Sequence, residues 1–295
     1  MSGCRLCPRN CGVDRMAGEA GVCGVNAELK VGRAALHMWE EPCISGEEGS
    51  GTIFFSGCSL GCVFCQNHGL AKAETGKKIS IQRLVEIFFS LKDQGANNIN
   101  LVTPDHYLPQ IRTAIEQAKG QGFDLPFVWN SGGYVRAEAL RFLEGLIDIY
   151  LVDFKYWTEE TARRYAKAPN YPETAKEALA EMVRQCPEPI FNPRGMMQKG
   201  IIVRHLLLPD KLAEAEKIVQ YVYEKYGDMV YLSIMNQYTP LPWTKDYPEL
   251  CRKVSDKEYD ALVDGAAELG VVNGFMQEGG TAEESFIPTF LGEGV

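Results

Sequence analysis

The feature that most constrains this chain is a set of three cysteines placed directly after an apolar strand. Thr52-Ile53-Phe54-Phe55-Ser56 is apolar without alternation, as a strand covered on both faces must be. It runs into Gly57-Cys58-Ser59-Leu60-Gly61-Cys62-Val63-Phe64-Cys65. Three thiolates on one glycine-bearing loop hold three corners of an iron–sulfur cubane and leave the fourth iron open, whereas an electron-transfer cluster usually takes four cysteines. An open corner is what a catalytic metal site keeps for a substrate or cofactor. Zinc on three sulfurs is the alternative, but zinc knuckles usually bring two paired cysteines rather than an x3 and then an x2 spacing. Cys58, Cys62 and Cys65 are thus the candidate catalytic and metal-binding set.

A second set precedes it, Cys4-x2-Cys7-x3-Cys11-x11-Cys23. Four sulfurs fit tetrahedral zinc and equally a second [4Fe–4S] cluster, and the spacing leaves both open. A chain of 295 residues buries a core without disulfide staples, and in a reducing compartment clustered cysteines bind metal more often than they bridge. Cys43, Cys186 and Cys251 stand alone and are expected to pack as small apolar side chains. Residues 1–45 therefore read as a small Cys-rich metal-binding module. The Gly/Ser-rich stretch from Ser45 to Gly51 opens a second unit, 46–295.

In that unit strands and helices alternate. Strands are predicted at 52–56, 98–102, 126–129, 147–152, 201–207 and 229–235. Helices are predicted at 80–94 with Ser80 as N-cap, 107–120, 136–145, a stretch broken around Pro169 and Pro172, 211–226, and a last one ending near 269. Thr174-x-x-Glu177 and Ser255-x-x-Glu258 offer capping boxes, and Val271, Val272, Phe275, Phe286, Ile287 and Phe290 are expected to pack as an apolar tail. Six βα units predict an α/β fold with a parallel sheet. Six is fewer than the eight of a closed barrel, so an open barrel and a doubly wound sheet both fit. In either, the chemistry sits at the C-terminal strand ends. The formal charge of −9 argues against a nucleic-acid partner. No apolar run approaches the roughly 20 residues of a membrane helix. The absence of an apolar signal stretch among the first residues predicts a cytoplasmic protein.

Cys58-Ser59-Leu60-Gly61-Cys62-Val63-Phe64-Cys65 resembles the CxxxCxΦC motif of the radical S-adenosylmethionine (SAM) enzymes, Φ being aromatic. HMWEEPCISG, NINLVTPDH, DIYLVDFKYW, VRHLLLP and IMNQYTP, all present here, resemble a group within the pyruvate formate-lyase-activating enzyme homologues that carries N-terminal cysteines. The resemblance implies a partial (β/α)6 TIM-like barrel holding a [4Fe–4S] cluster and SAM. It also implies reductive cleavage of SAM to a 5′-deoxyadenosyl radical that abstracts hydrogen from a protein or peptide, such as a glycyl radical enzyme. A flavodoxin- or ferredoxin-type donor would supply the electron, with the N-terminal cysteines as a second metal centre, iron–sulfur or zinc. A small-molecule substrate is the other enzymatic reading. A non-catalytic iron–sulfur redox or sensor protein is the other class, which the open iron disfavours.

Position by position, the resemblance implies that Phe64 lies by the adenine, with a plain core phenylalanine as the alternative. Val102-Thr103-Pro104-Asp105-His106 stands where many relatives bind the SAM amino group through Gly-Gly-Glu, leaving Thr103 and backbone carbonyls for that task. Asn130 and Ser131 stand where activating enzymes carry Asp-Thr-Asn-Gly. Asp153 and Lys155 match their Asp-x-Lys, which puts Lys155 near the SAM carboxylate. Arg204 matches an arginine that contacts SAM, and Gln237 and Tyr238 follow the sixth strand near the ribose. An arginine in an apolar strand must find an acceptor, and alternation sends His205 to the opposite face. His37, His68 and His106 are expected as surface or hydrogen-bonding residues, and Glu40 and Glu41 as a solvated pair unless their place before the first strand draws them into a site.

Overall fold

The computed structural model describes residues 3–277 and 290–295. β1 (Leu29–His37) pairs antiparallel with β2 (Ser50–Phe55), and β3 (Lys77–Ile79) pairs antiparallel with β1. From β2 the sheet continues in parallel through β4 (Ile99–Val102), β5 (Phe127–Ser131) and β6 (Ile149–Asp153). A short β7 (Ile190–Phe191) then flanks β8 (Met197–Leu206), which pairs with β6 and with β9 (Tyr231–Met235); β10 (Gly274–Met276) extends the edge beside β9. The parallel strands lie in the order β2-β4-β5-β6-β8-β9-β10 and never reverse. A doubly wound sheet reverses at its switch point, so that alternative falls. The outer neighbour of β2 is β1, not β10, so the ribbon is a partial barrel left unclosed.

The helices lie between the strands: α1 (Pro42–Ser45), α2 (His68–Ala71), α3 (Ile81–Asp93), α4 (Leu108–Gly120), α5 (Ala137–Leu140), α6 (Glu159–Ala166), α7 (Tyr171–Gln185), α8 (Leu212–Tyr226) and α9 (Asp256–Glu268). Ser80 caps α3 by accepting from the Arg83 amide, and Ser255 and Glu258 form the expected box on α9. Two expectations need correction. The 136–145 helix is one turn of α5 plus a 3₁₀ turn to Leu143. Thr174 is not a cap: α7 begins three residues earlier, after Asn170 in the left-handed conformation. Pro172, read as a breaker, sits in the first turn, where its missing N–H costs no intrahelical bond.

Alternation divides the barrel lumen into two layers. Val128, Ile149, Leu151 and Ile202 face inward and pack with Met197, Cys43 and Ile44, so α1 plugs this end with an apolar seal. One residue pair further along the same strands and the same face come Asn130, Asp153 and Arg204. The N-terminal stretch also differs from a free-standing module, since β1 lies inside 1–45 and belongs to the sheet. Of the lone cysteines, Cys43 and Cys186 are buried as expected, whereas Cys251 is exposed. In the tail the Phe290 ring meets Phe54 edge-on at 5.3 Å, Val272 is exposed, and Phe286 and Ile287 lie outside the described residues. No described helix is long and apolar enough to cross a membrane.

Candidate active site

The C-terminal ends of β2, β4, β5, β6, β8 and β9 surround a cavity of about 710 Å³. Cys58, Cys62 and Cys65 line it on one side. Glu40, Glu41, Thr103, Asp105, Asn130, Ser131, Asp153, Lys155, Arg204 and Gln237 complete the polar lining. The cysteine loop leaves β2 through Gly57 at φ 91, where a Cβ would come within 2.6 Å of the Cys23 carbonyl. Only glycine permits both that conformation and that approach. The Leu60 amide points at Cys58 Sγ (3.4 Å), and the buried Tyr156 hydroxyl donates to Cys62 Sγ (3.0 Å). Burial pushes the Cys58 thiol up to about 11 and Cys65 to about 12, and raises Cys62 as well. Thiols so desolvated ionise when a cation binds them.

Facing the loop, Arg204 joins three strands. Its Nε donates to Asp153 Oδ1 (2.8 Å), Nη1 to Glu40 Oε2 (2.9 Å) and Nη2 to Asn130 Oδ1 (2.7 Å). Lys155 Nζ donates to the other Asp153 oxygen at 2.6 Å. Burial alone would raise the Asp153 carboxyl, but Arg204 and Lys155 outweigh it and hold it below the usual range. Glu40 also accepts from Asn100 Nδ2 (2.9 Å) and is raised by burial against the pull of Arg204. The expected solvated pair is thus buried in the site. Their place before the first strand was the one hint in the sequence, because the burying groups come from β4, β5 and β8.

His205 turns away from the lumen, as alternation requires, and its Nδ1 meets the Phe154 carbonyl at 2.7 Å. Phe64 lines the cavity yet also packs edge-on against Tyr156, Tyr165 and Tyr238, so it serves the core as well. Thr103 holds φ 57 and donates its amide to the Asn130 carbonyl (2.9 Å); a β-branched residue there is strained. Gln237 reaches Gln277 and, through its carbonyl, Gln66. Asp105 was quoted in the sequence only as a neighbour of Thr103. It is buried beneath the loop, where Trp129 Nε1 and the Ser131 hydroxyl bond it at 3.0 and 2.8 Å. Burial pushes it up to about 6 against those bonds. His106 is buried beside it and meets the Ser56 carbonyl at 2.8 Å.

The N-terminal cysteines dock on this end of the barrel. The Cys58 amide donates to the Cys23 carbonyl (3.2 Å). Arg9 donates to the carbonyls of Ser59 (2.8 Å), Leu60 (3.2 Å) and Ala166 (2.8 Å), and to that of Lys167. Gly21 lets the Cys11 and Cys23 sulfurs close in, a Cβ there meeting them at 3.1 and 3.5 Å. Burial pushes Cys7 up to about 12, with Cys23 and Cys4 adding to it.

This fold is similar to that of known proteins. The radical SAM superfamily model matches residues 52–193. SuiB of Streptococcus suis, solved with bound S-adenosylmethionine, superposes with a TM-score of 0.50 over 75% of this chain and 48% of its own, at 13% identity. A second SuiB structure aligns at 0.50 over 78% and 48%, also at 13% identity. This chain therefore spans about half the length of SuiB, and the likeness is one of fold. An uncharacterized protein of Methanocaldococcus jannaschii is 29% identical over 276 residues, 91% of this chain and 75% of that one. The family match is a likeness to the radical SAM superfamily over residues 52–193, and it raises the question whether the site suits a [4Fe–4S] cluster and SAM.

The residues present fit those groups. No three His, Cys, Asp or Glu side chains among the described residues are grouped to hold a single metal ion. A polynuclear cluster instead takes one thiolate per iron, which three cysteines spread along one cavity wall provide. Arg204, Lys155 and the strand-end carboxylates facing them offer partners of both signs to a zwitterion.

Proposed function

We propose that this protein is a radical SAM enzyme of the activating-enzyme type, acting on a protein or peptide. One observation carries the reading: three cysteine thiols, Cys62 buried and Cys58 and Cys65 half-buried, line the same cavity as the Arg204–Asp153–Lys155 network at the C-terminal end of an unclosed barrel. Cys58, Cys62 and Cys65 would hold a [4Fe–4S] cluster, which when bound supplies the electron that cleaves SAM to a 5′-deoxyadenosyl radical. Lys155 binds the SAM carboxylate as a point charge. Arg204 has five N–H donors, of which three atoms are already engaged, so it fixes Asp153 and Asn130 in place while keeping donors for the ligand. Thr103 and Ser131 hold the methionine end, and Phe64 and Gln237 the adenosine end. The apolar walls exclude water from the reacting centre.

A polypeptide substrate is supported by the cavity mouth, where Trp39 (66% exposed) and Met276 (61% exposed) form an apolar rim. Cys4, Cys7, Cys11 and Cys23 would hold a second metal centre of iron–sulfur type, which when bound would supply electrons from a flavodoxin- or ferredoxin-type donor; the backbone bond between Cys23 and Cys58 supports that role. The test is anaerobic reconstitution, dithionite reduction and measurement of 5′-deoxyadenosine from SAM. Reconstituted protein that binds iron but forms no 5′-deoxyadenosine would overturn the proposal.

A further inference from the structure

The cavity is over-supplied with acid. Among the described residues its lining carries four carboxylates, Glu40, Glu41, Asp105 and Asp153, against two fixed cations, Lys155 and Arg204. His37 adds no charge at neutral pH, since burial pushes its pKa down to about 4. Three of the four acids are accounted for. Asp153 takes Arg204 and Lys155, Glu40 takes Arg204 and Asn100, and Asp105 takes two neutral donors.

Glu41 is different. It lines the cavity at 8% exposure, and its Oε2 is buried without any hydrogen-bond partner. Burial raises its pKa, and Glu40 beside it adds to that, against the pull of Arg204, a backbone amide and the Ser233 hydroxyl. Its backbone is fixed, because its carbonyl receives the amides of Ile44 (2.8 Å) and Ser45 (3.0 Å) at the start of α1. Asn100, which donates to Glu40, has in its Oδ1 a second buried acceptor without a partner. Two orphaned acceptors among a surplus of acidic groups call for a donor-rich cation, since a buried polar group left unpaired is costly. Phe54, Leu206, Met235 and Phe275 line the same cavity, so the cation must arrive on an apolar stem.

We propose that Glu41 is the anchor of an ammonium subsite and that the substrate presents a primary amine on an aliphatic chain. This names the substrate class for the radical SAM reading and rests on it. A lysine side chain or the free amine of a peptide has that chemistry. The ammonium donates to Glu41 Oε2 and the stem lies along the apolar wall, which orients the carbon next in line toward the cysteine end.

The experiment is a binding measurement without turnover. The full-length, anaerobically purified protein is titrated with n-butylammonium and, separately, with n-butanol, followed by ligand-observed NMR. The wild type is expected to bind the amine at least tenfold more tightly than the alcohol. Glu41→Gln is expected to erase that preference, and Glu41→Asp, which keeps the charge, to retain it in part. Equal affinity for the two probes, or a preference that survives Glu41→Gln, overturns the subsite. SAM cleavage in the absence of substrate tests the broader reading separately, so either can fail alone.

Discussion

The two cysteine sets of this protein are built on opposite principles. Cys58, Cys62 and Cys65 hang from the end of a buried parallel strand and open onto a cavity that a network of charges also lines. Cys4, Cys7, Cys11 and Cys23 lie on a segment folded by turns, with the Cys4 amide donating to the Val13 carbonyl and the Asn10 amide to that of Cys7. The first set follows directly on a strand of the barrel, and the N-terminal segment braces its loop. The second has little regular structure of its own and is held by Arg9, Arg136 and the contact between Cys23 and Cys58. A rigid strand end suits a site that must orient a reacting atom, while a turn-built segment draws its order from what binds it.

The largest expected effect separates the sets directly. Replacing Cys58, Cys62 and Cys65 with Ala abolishes 5′-deoxyadenosine formation while far-ultraviolet circular dichroism stays that of the folded barrel. Metal analysis of that variant then isolates the N-terminal set: about four irons per chain means a second cluster, and about one zinc a structural site. Turnover that persists in the triple variant would break the comparison.

Next in size is the wall facing the loop. Arg204→Ala leaves Asp153 and Glu40 buried beside a lost partner, and breaking a buried charge pair costs about 3–5 kcal/mol. A markedly lower unfolding midpoint, together with weaker SAM binding at unchanged iron content, is the expected result. Unchanged stability would mean that the network is not what holds this wall.

The joint between the sets comes third. Arg9→Ala strips a donor from the Ser59, Leu60 and Ala166 carbonyls, with an expected loss of about 1–3 kcal/mol. It should lower iron at both cysteine sets, read by metal analysis. A loss confined to the N-terminal set would show that the barrel alone positions the catalytic loop. The smallest effect belongs to a cysteine in neither set. Cys251→Ser, at an exposed position, should leave iron content unchanged and alter stability within about 0.5 kcal/mol.

Much of this was legible in the chain. The alternation of apolar runs defined the βα order, since parallel strands buried on both faces leave unbroken apolar segments that no other element in so short a span explains. The cysteine spacings named both sets, and alternation along β8 told Arg204 from His205. What escaped the sequence was whatever depends on partners distant along the chain. Pro172 read as a breaker because a local pattern does not show that α7 starts at Tyr171. β1 was missed because its run, broken by Gly32 and Arg33, becomes a strand through pairing with β2 on one side and β3 on the other.

The sequence by itself determined the class of fold and the ligand loop, because strand burial, helix period and cysteine spacing are local properties. Only the tertiary structure decided that the sheet stays open, that Glu40 and Glu41 leave solvent for the lumen, and that the N-terminal segment rests on the Cys58–Cys65 loop. Each of these depends on charges and backbone groups from strands far apart in the chain meeting inside one barrel. Arg204 draws Glu40 across 164 residues of sequence. That contact exists only once β8 and the segment before α1 face the same space.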